Sequence, residues 1–271
     1  MSGAATTAAN ANGWYTGAVK VGFTATDALS GVATTTAEQT LSADGANQSV
    51  EGKATDNAGN EASTTVTGIN IDSTKPVITV NGFKSQYTLG EAAGLTCTAT
   101  DATSGLDTNG CKVTTTGGTA NGVGSFTYTA TATDKAGNKS EVTGTYKVVY
   151  KWSGFLQPIN DTAHQVGAST SIFKAVSTVP AKFQLRDVND KVVQASSLPE
   201  WVAPAKSTAT MAAVDEPVFT EAATGGGTYR WSTDQYIYNW GTAKNQAGSY
   251  WRIGVKLDDG QTYYTNIGLR S

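Results

Sequence analysis

Charge is what this chain has least of for its size. Only 15% of its 271 residues are Asp, Glu, Lys or Arg, against about 25% in an average soluble protein. Leu, Glu, Lys and Arg are all sparse, which argues against long helices. Lys and Arg are scattered singly and the net charge is -3, so the sequence suggests no nucleic-acid or other polyanion partner. No run approaches the ~18 apolar residues needed to cross a bilayer, and no membrane insertion is expected. One histidine, His164, and two cysteines, Cys97 and Cys111, are too few for a zinc set. G-x-S-x-G, H-E-x-x-H and phosphate-loop motifs are missing. Glu200 beside Trp201, and Asp215-Glu216, are flanked by Pro199 and Pro217 as in ordinary loops. These absences lead to the expectation that the chain is not an enzyme. Residues 1–12 have neither a charged n-region nor an apolar h-region, and read as linker behind a start-codon scar, ahead of a domain cut from something larger.

Threonine, alanine, glycine and asparagine fill the space left by charge. Threonine suits a pleated strand, while glycine and asparagine tolerate turn geometry. A repeat is visible in that material. Residues 19–32 read VKVGFTATDALSGV and residues 93–106 read AGLTCTATDATSGL. Each is followed by a second shared signature, ATDNAGNEAS at 54–63 and ATDKAGNKS at 132–140. Two matches in the same order make these segments copies of one domain. Val19, Val21, Phe23 and Ala25 alternate with Lys20, Gly22, Thr24 and Thr26, the period of a half-buried strand. Asp27, Asp101, Asp56 and Asp134 open turns that Gly31, Gly105, Gly59-Asn60 and Gly137-Asn138 close. Short strands between regular turn signals predict a β-sandwich, and copies this small should have thin cores.

The same loops are rich in oxygen. Asp27, Asp56, Asn60, Asp101, Asp134 and Asn138 are candidates either for capping their own turns or for holding calcium. The residue pattern leaves both readings open; no cofactor other than calcium is suggested. Cys97 replaces Phe23 on the buried side of its strand, and the second copy carries an insertion at 107–111 that the first lacks. We therefore expect a Cys97–Cys111 disulfide that compensates a lost core aromatic, and with it an oxidising compartment.

The pattern GWYTG…TATDALSG…ATDNAGN ending in IDSTKPVIT resembles the bacterial Ig-like repeats found in tandem in exported proteins, over about residues 13–150. In that resemblance Asp72-Ser73-Thr74-Lys75-Pro76 is the joint between repeats, and proline there fits an extended hinge. After Tyr150 the composition shifts to tryptophan, tyrosine and longer apolar residues. Pro180-Ala181-Lys182-Phe183, Trp152-Ser153-Gly154-Phe155, Trp231-Ser232-Thr233-Asp234 and Leu257-Asp258-Asp259-Gly260 resemble the landmarks of the PxKF domain of exported bacterial proteins. The expected organisation is repeat 1 at 13–74, repeat 2 at 75–150 and a PxKF-like sandwich at 151–271. The whole is an all-β, elongated array of tandem immunoglobulin-like sandwiches.

The resemblance implies an extracellular or cell-surface spacer (stalk) fragment of a larger exported protein. Two other readings remain. One is a carbohydrate-binding accessory module of an exported enzyme, resting on Tyr236, Tyr238 and Trp240, which fall on one side of a strand and form an exposed stripe if Ile237 faces inward. The stripe fails if it faces the core or lies under the long loop at 196–227. The other is a self-assembling surface or adhesin protein that joins through unpaired sheet edges. Expected partners are accordingly a polysaccharide or cell-wall glycan, or other domains of the parent protein.

Overall fold

The computed structural model describes all residues from Met1 to Ser271. It is almost entirely β, and no helix is long and apolar enough to cross a membrane. Tandem Ig-like β-sandwiches account for the architecture. The first repeat contains β1 (Ser2–Ala5), β2 (Trp14–Tyr15), β3 (Val19–Thr24), β4 (Val32–Thr35), β5 (Gln39–Leu41), β6 (Gly45–Asp56) and β7 (Glu61–Ile71). They form two sheets, β1-β3-β5 and β2-β7-β6-β4. The alternation read from the sequence holds: Val19 and Val21 are fully buried, with Val50, Ile69 and Ile71 closing a small core. Ser2–Ala5 was expected to be linker. Instead Ala5 pairs with Val21 and Ser2 with Thr24, because the edge of β3 offers backbone groups that need a partner.

The second repeat contains β8 (Val77–Asn81), β9 (Gln86–Thr88), β10 (Thr96–Thr100), β11 (Leu106–Gly117), β12 (Gly124–Asp134) and β13 (Lys139–Val149). Its sheets are β8-β10 and β9-β13-β12-β11. The order matches the first repeat strand for strand, apart from a counterpart of β5. The parallel pairing matches too: Trp14 with Asn70 in one, Lys147 with Gln86 in the other.

The copies differ where the sequence drew attention. In the first, Phe23 lies over Gly3 and Gly52, whose Cβ atoms, if present, would stand 2.7 and 2.4 Å from the ring. In the second, Cys97 pairs with Val80 across the ladder, and Ala130, fully buried, stands at the position of Gly52. Side chains have returned on both facing strands, so an aromatic no longer fits. A Cys97–Cys111 disulfide is formed, with Cα atoms 5.8 Å apart.

The remaining strands are β14 (Thr170–Lys174), β15 (Thr178–Phe183), β16 (Leu185–Arg186), β17 (Val192–Val193), β18 (Glu200–Ser207), β19 (Ala213–Asp215), β20 (Arg230–Ser232), β21 (Gln235–Gly241), β22 (Ser249–Lys256) and β23 (Thr262–Arg270). A five-stranded sheet, β18-β22-β23-β14-β19, and a three-stranded sheet, β15-β21-β20, enclose the largest core of the chain; β16 and β17 form a small ladder. Asp258-Asp259-Gly260 turns β22 into β23 as its residues predict, with Gly260 at φ 82° and the Gly260 amide donating to the Leu257 carbonyl.

By packing, the chain forms two compact units. One is Met1–Phe83, Gly94–Thr114 and Tyr128–Gly144; the other is Lys84–Ala93, Thr115–Thr127 and Thr145–Ser271. The second repeat contributes to both.

Candidate functional site

The turn carboxylates act first on their own backbones. Asp27 Oδ2 accepts from the amides of Leu29 and Gly31 and from the Ser30 hydroxyl. Asp56 Oδ1 accepts from the amides of Ala58 and Asn60, and Oδ2 from the Asn60 side chain. Asp134 repeats this with Gly137 and Asn138. Asp101 Oδ1 holds the amides of Thr103, Ser104 and Gly105. Asn60 and Asn138 therefore spend their amide groups as donors to aspartate. These bonds favour the charged form, and hold Asp27, through the Gly31 amide first, and Asp56, through the Asn60 side chain first, below the usual carboxylate range.

In the second repeat a third carboxylate joins. Asp72, read from sequence as a residue of the joint, is fully buried. Its Oδ1 accepts from the Thr74 amide and its Oδ2 from the Ser104 amide. That places it against the Asp101 turn, and oxygens of Asp72, Asp101 and Asp134 lie within 4.8 Å of one another. Asp134 is only 1% exposed, and none of the three forms an ion pair with Lys or Arg. An all-oxygen, anionic set of this size suits a hard divalent cation such as calcium. Further bonds fasten the joint: the Asn138 side chain donates to the Asp72 carbonyl, the Ser140 hydroxyl to the Pro76 carbonyl, and the Asn10 side chain to the carbonyls of Lys135 and Ala136. The expected hinge is thus a bonded joint. Asp72 escaped the sequence reading because its partners lie far along the chain; the only signal was one more acid between two turn signatures.

The aromatic stripe does not face solvent. Tyr236, Tyr238 and Trp240 are 1%, 7% and 8% exposed. The reason is that β21 is covered on both sides. Tyr236 stacks on Phe183 and Tyr238 on Trp201, the latter at 4.2 Å between ring centroids. The Tyr238 hydroxyl donates to the Gly226 carbonyl, and Asn239 to the Ala222 carbonyl, so residues of the long loop close over the strand. Burial pushes the Tyr236 and Tyr238 phenols above their ordinary value. These rings are core and offer no face to a sugar.

Other sequence landmarks meet in the same core. Trp152 packs on Phe155 and Phe183, with centroids 5.4 and 5.1 Å apart, and Trp231 on Tyr236 at 4.8 Å. His164 lies at the rim, its Nδ1 2.9 Å from Oδ2 of the buried Asp161, which also accepts from the Phe155 amide. That pair ties the loop after Phe155 and stands edge-on to Trp152.

No family model and no curated protein matches the chain. Solved structures do match. A Ca2+-stabilised adhesin with which an Antarctic bacterium binds ice is 17% identical, covering 98% of this chain and 73% of that one, with a TM-score of 0.25. A tandem of titin Z1Z2 domains is 11% identical over 83% and 91%, TM-score 0.23. The first eight Ig domains of the Down syndrome cell adhesion molecule are 13% identical over 83% of this chain but 28% of theirs, TM-score 0.32. Superpositions this loose carry no argument, and the fold rests on the strand order and register given above.

Proposed function

We propose that the chain is a non-catalytic extracellular spacer, two Ig-like repeats followed by a PxKF-type terminal sandwich of an exported bacterial protein. The observation that carries this is the strand-for-strand repetition of one sandwich, including the parallel pairing of its second and last strands. The disulfide supports a location outside the reducing cytosol. The PxKF assignment of residues 151–271 rests on the sequence landmarks, of which Trp152, Phe155, Phe183 and Trp231 border one core. Small-angle scattering of the intact chain tests the spacer reading. It should return the long, narrow profile of sandwiches placed end to end, and a compact globule would overturn it.

A second reading concerns the joint. The cluster of buried Asp72 and Asp134 with half-buried Asp101, none of them paired with a basic side chain, supports uptake of a divalent cation that stiffens the connection between repeats. Calcium titration followed by calorimetry, with Asp72→Asn as the control, tests it. Heat of binding in the parent and none in the variant is the expected result.

A further inference from the structure

The five-stranded sheet has two unlike faces. Ile253, Val255, Ile267 and Leu269 point into the core. The alternate residues of β22 and β23 point outward, and two tyrosines among them are laid down on glycines. Tyr264 stands opposite Gly254, and a Cβ on that glycine would come within 2.6 Å of the ring. Tyr250 stands opposite Gly268, where a Cβ would meet the Ile172 side chain at 2.2 Å and the Tyr250 ring at 2.9 Å. The arrangement is reciprocal: each strand supplies one tyrosine and one glycine to receive the other's ring. Glycine in a strand interior weakens it, so two such positions facing outward mark a surface whose flatness is kept at a cost. Tyr264 is 39% exposed.

Between the two rings lies Arg252, opposite Asn266. Its guanidinium carbon is 4.8 Å from the centroid of the Tyr264 ring. The neighbouring charges are already paired, Lys256 with Glu200 and Arg270 with Asp215. Arg252 is exposed and makes no ion pair. Oδ1 of Asn266 accepts from the Ser207 hydroxyl, which fixes the side-chain amide beside the guanidinium. Lys174, also exposed and unpaired, belongs to the same face beside Arg270. Lys and Arg are scattered singly along the sequence; the sheet brings four of them to one face from separate strands, and Glu200 and Asp215 neutralise two, leaving Arg252 and Lys174 without an ion pair.

We infer that the outer face of this sheet binds a polysaccharide that carries carboxylates. A laid-down phenol presents an apolar plane to the C–H face of a pyranose, and a free planar guanidinium matches a uronate carboxylate with two parallel hydrogen bonds. Four residues along β22 separate the two ring positions. At about 3.4 Å per residue they stand roughly 14 Å apart, a span for a chain of sugars and not for one. Tyr250, Arg252 and Tyr264 are the contact residues, and this site is distinct from the buried Tyr236, Tyr238 and Trp240.

Affinity electrophoresis of the intact chain through gels containing polygalacturonate, alginate or hyaluronate tests this, with fully methyl-esterified polygalacturonate as the uncharged arm. At least one acid polymer should retard the protein, and the ester should not. Tyr264→Ala and Tyr250→Ala should each weaken retardation ten-fold or more, and Arg252→Gln should abolish the preference for acid over ester. Circular dichroism checks that each variant is folded. Arg252→Gln, a change on an exposed side chain, gives the answer if a tyrosine variant is not. Retardation by none of the polymers, equal retardation by acid and ester, or retardation indifferent to the substitutions would overturn the inference.

Discussion

The ring of Phe23 lies across Gly52, so close that a single added carbon would stand 2.4 Å from it. The second repeat fills the corresponding space with Ala130, Val80 and the half-cystine Cys97. One volume is closed in two ways, by a ring over bare backbone and by a covalent bridge over side chains.

Gly52→Ala should therefore destabilise the first repeat. Overpacking of a filled site costs about 1–3 kcal/mol, and urea denaturation reads it directly. Gly17→Ala is the control, because nothing lies within 4 Å of its added carbon. Equal midpoints for the two variants would show that the ring simply moves aside.

Reduction should act on the other copy. Cys97 and Cys111 are 14 positions apart, and closing a loop of that length is worth about 3 kcal/mol in the chain-entropy model. Reductant, or the double substitution to serine, should lower the unfolding midpoint of the second repeat and leave the first unchanged. Thiol titration of the untreated protein should find no free sulfhydryl.

Acid should loosen the turns of the first repeat. Asp27, Asp44 and Asp56 are held below their ordinary value of 3.8, mainly by the amides of Gly31 and Ser73 and by the Asn60 side chain, respectively. A carboxylate with a lowered folded pKa contributes stability that is present above the unfolded value and lost as pH falls through the folded one. The midpoint should thus decline below about pH 4, and Asp56→Asn should flatten that decline. Asp259 has the opposite sign: burial raises its pKa, so its ionisation, as pH rises from 3.8 through the folded value, removes stability from the C-terminal sandwich. Midpoints measured from pH 2 to 7, resolved by hydrogen exchange, separate the two effects.

Calcium should raise the melting temperature of the parent relative to chelator, and should leave Asp72→Asn unmoved. An identical rise in both would place the cation elsewhere than between Asp72, Asp101 and Asp134.

Much of this could be read from the sequence because turn chemistry is local. Asp56 and Asn60, or Asp134 and Asn138, bond within four residues of each other, so their signatures appear as written words and reveal the repeat. The disulfide was legible because Cys97 interrupts an otherwise matched strand. What depends on distant partners was not. Asp72 receives its meaning from Ser104, and Ala5 from Val21. The period of β21 places Tyr236, Tyr238 and Trp240 on one side of a strand but is silent on which sides are covered, and both are. For the same reason Tyr250 and Tyr264 could not be distinguished from their buried neighbours. Only the pairing with Gly268 and Gly254 shows that they lie on the open face.

The parallel seam that joins the second and last strands of each repeat has a mechanical meaning. Trp14 and Tyr15 run alongside Asn70 and Ile71, and Gln86 to Thr88 alongside Lys147 to Val149. Tension applied through the two ends of a repeat drags these neighbours lengthwise in opposite directions. The slanted hydrogen bonds between them are then loaded together, in shear, where an antiparallel hairpin pulled from its open end would yield one rung at a time. Each repeat meets a stretching force at this short seam and, nearer its N-terminal end, at the antiparallel ladder of β1 with β3 or of β8 with β10, and its extension under load begins only when one of them lets go.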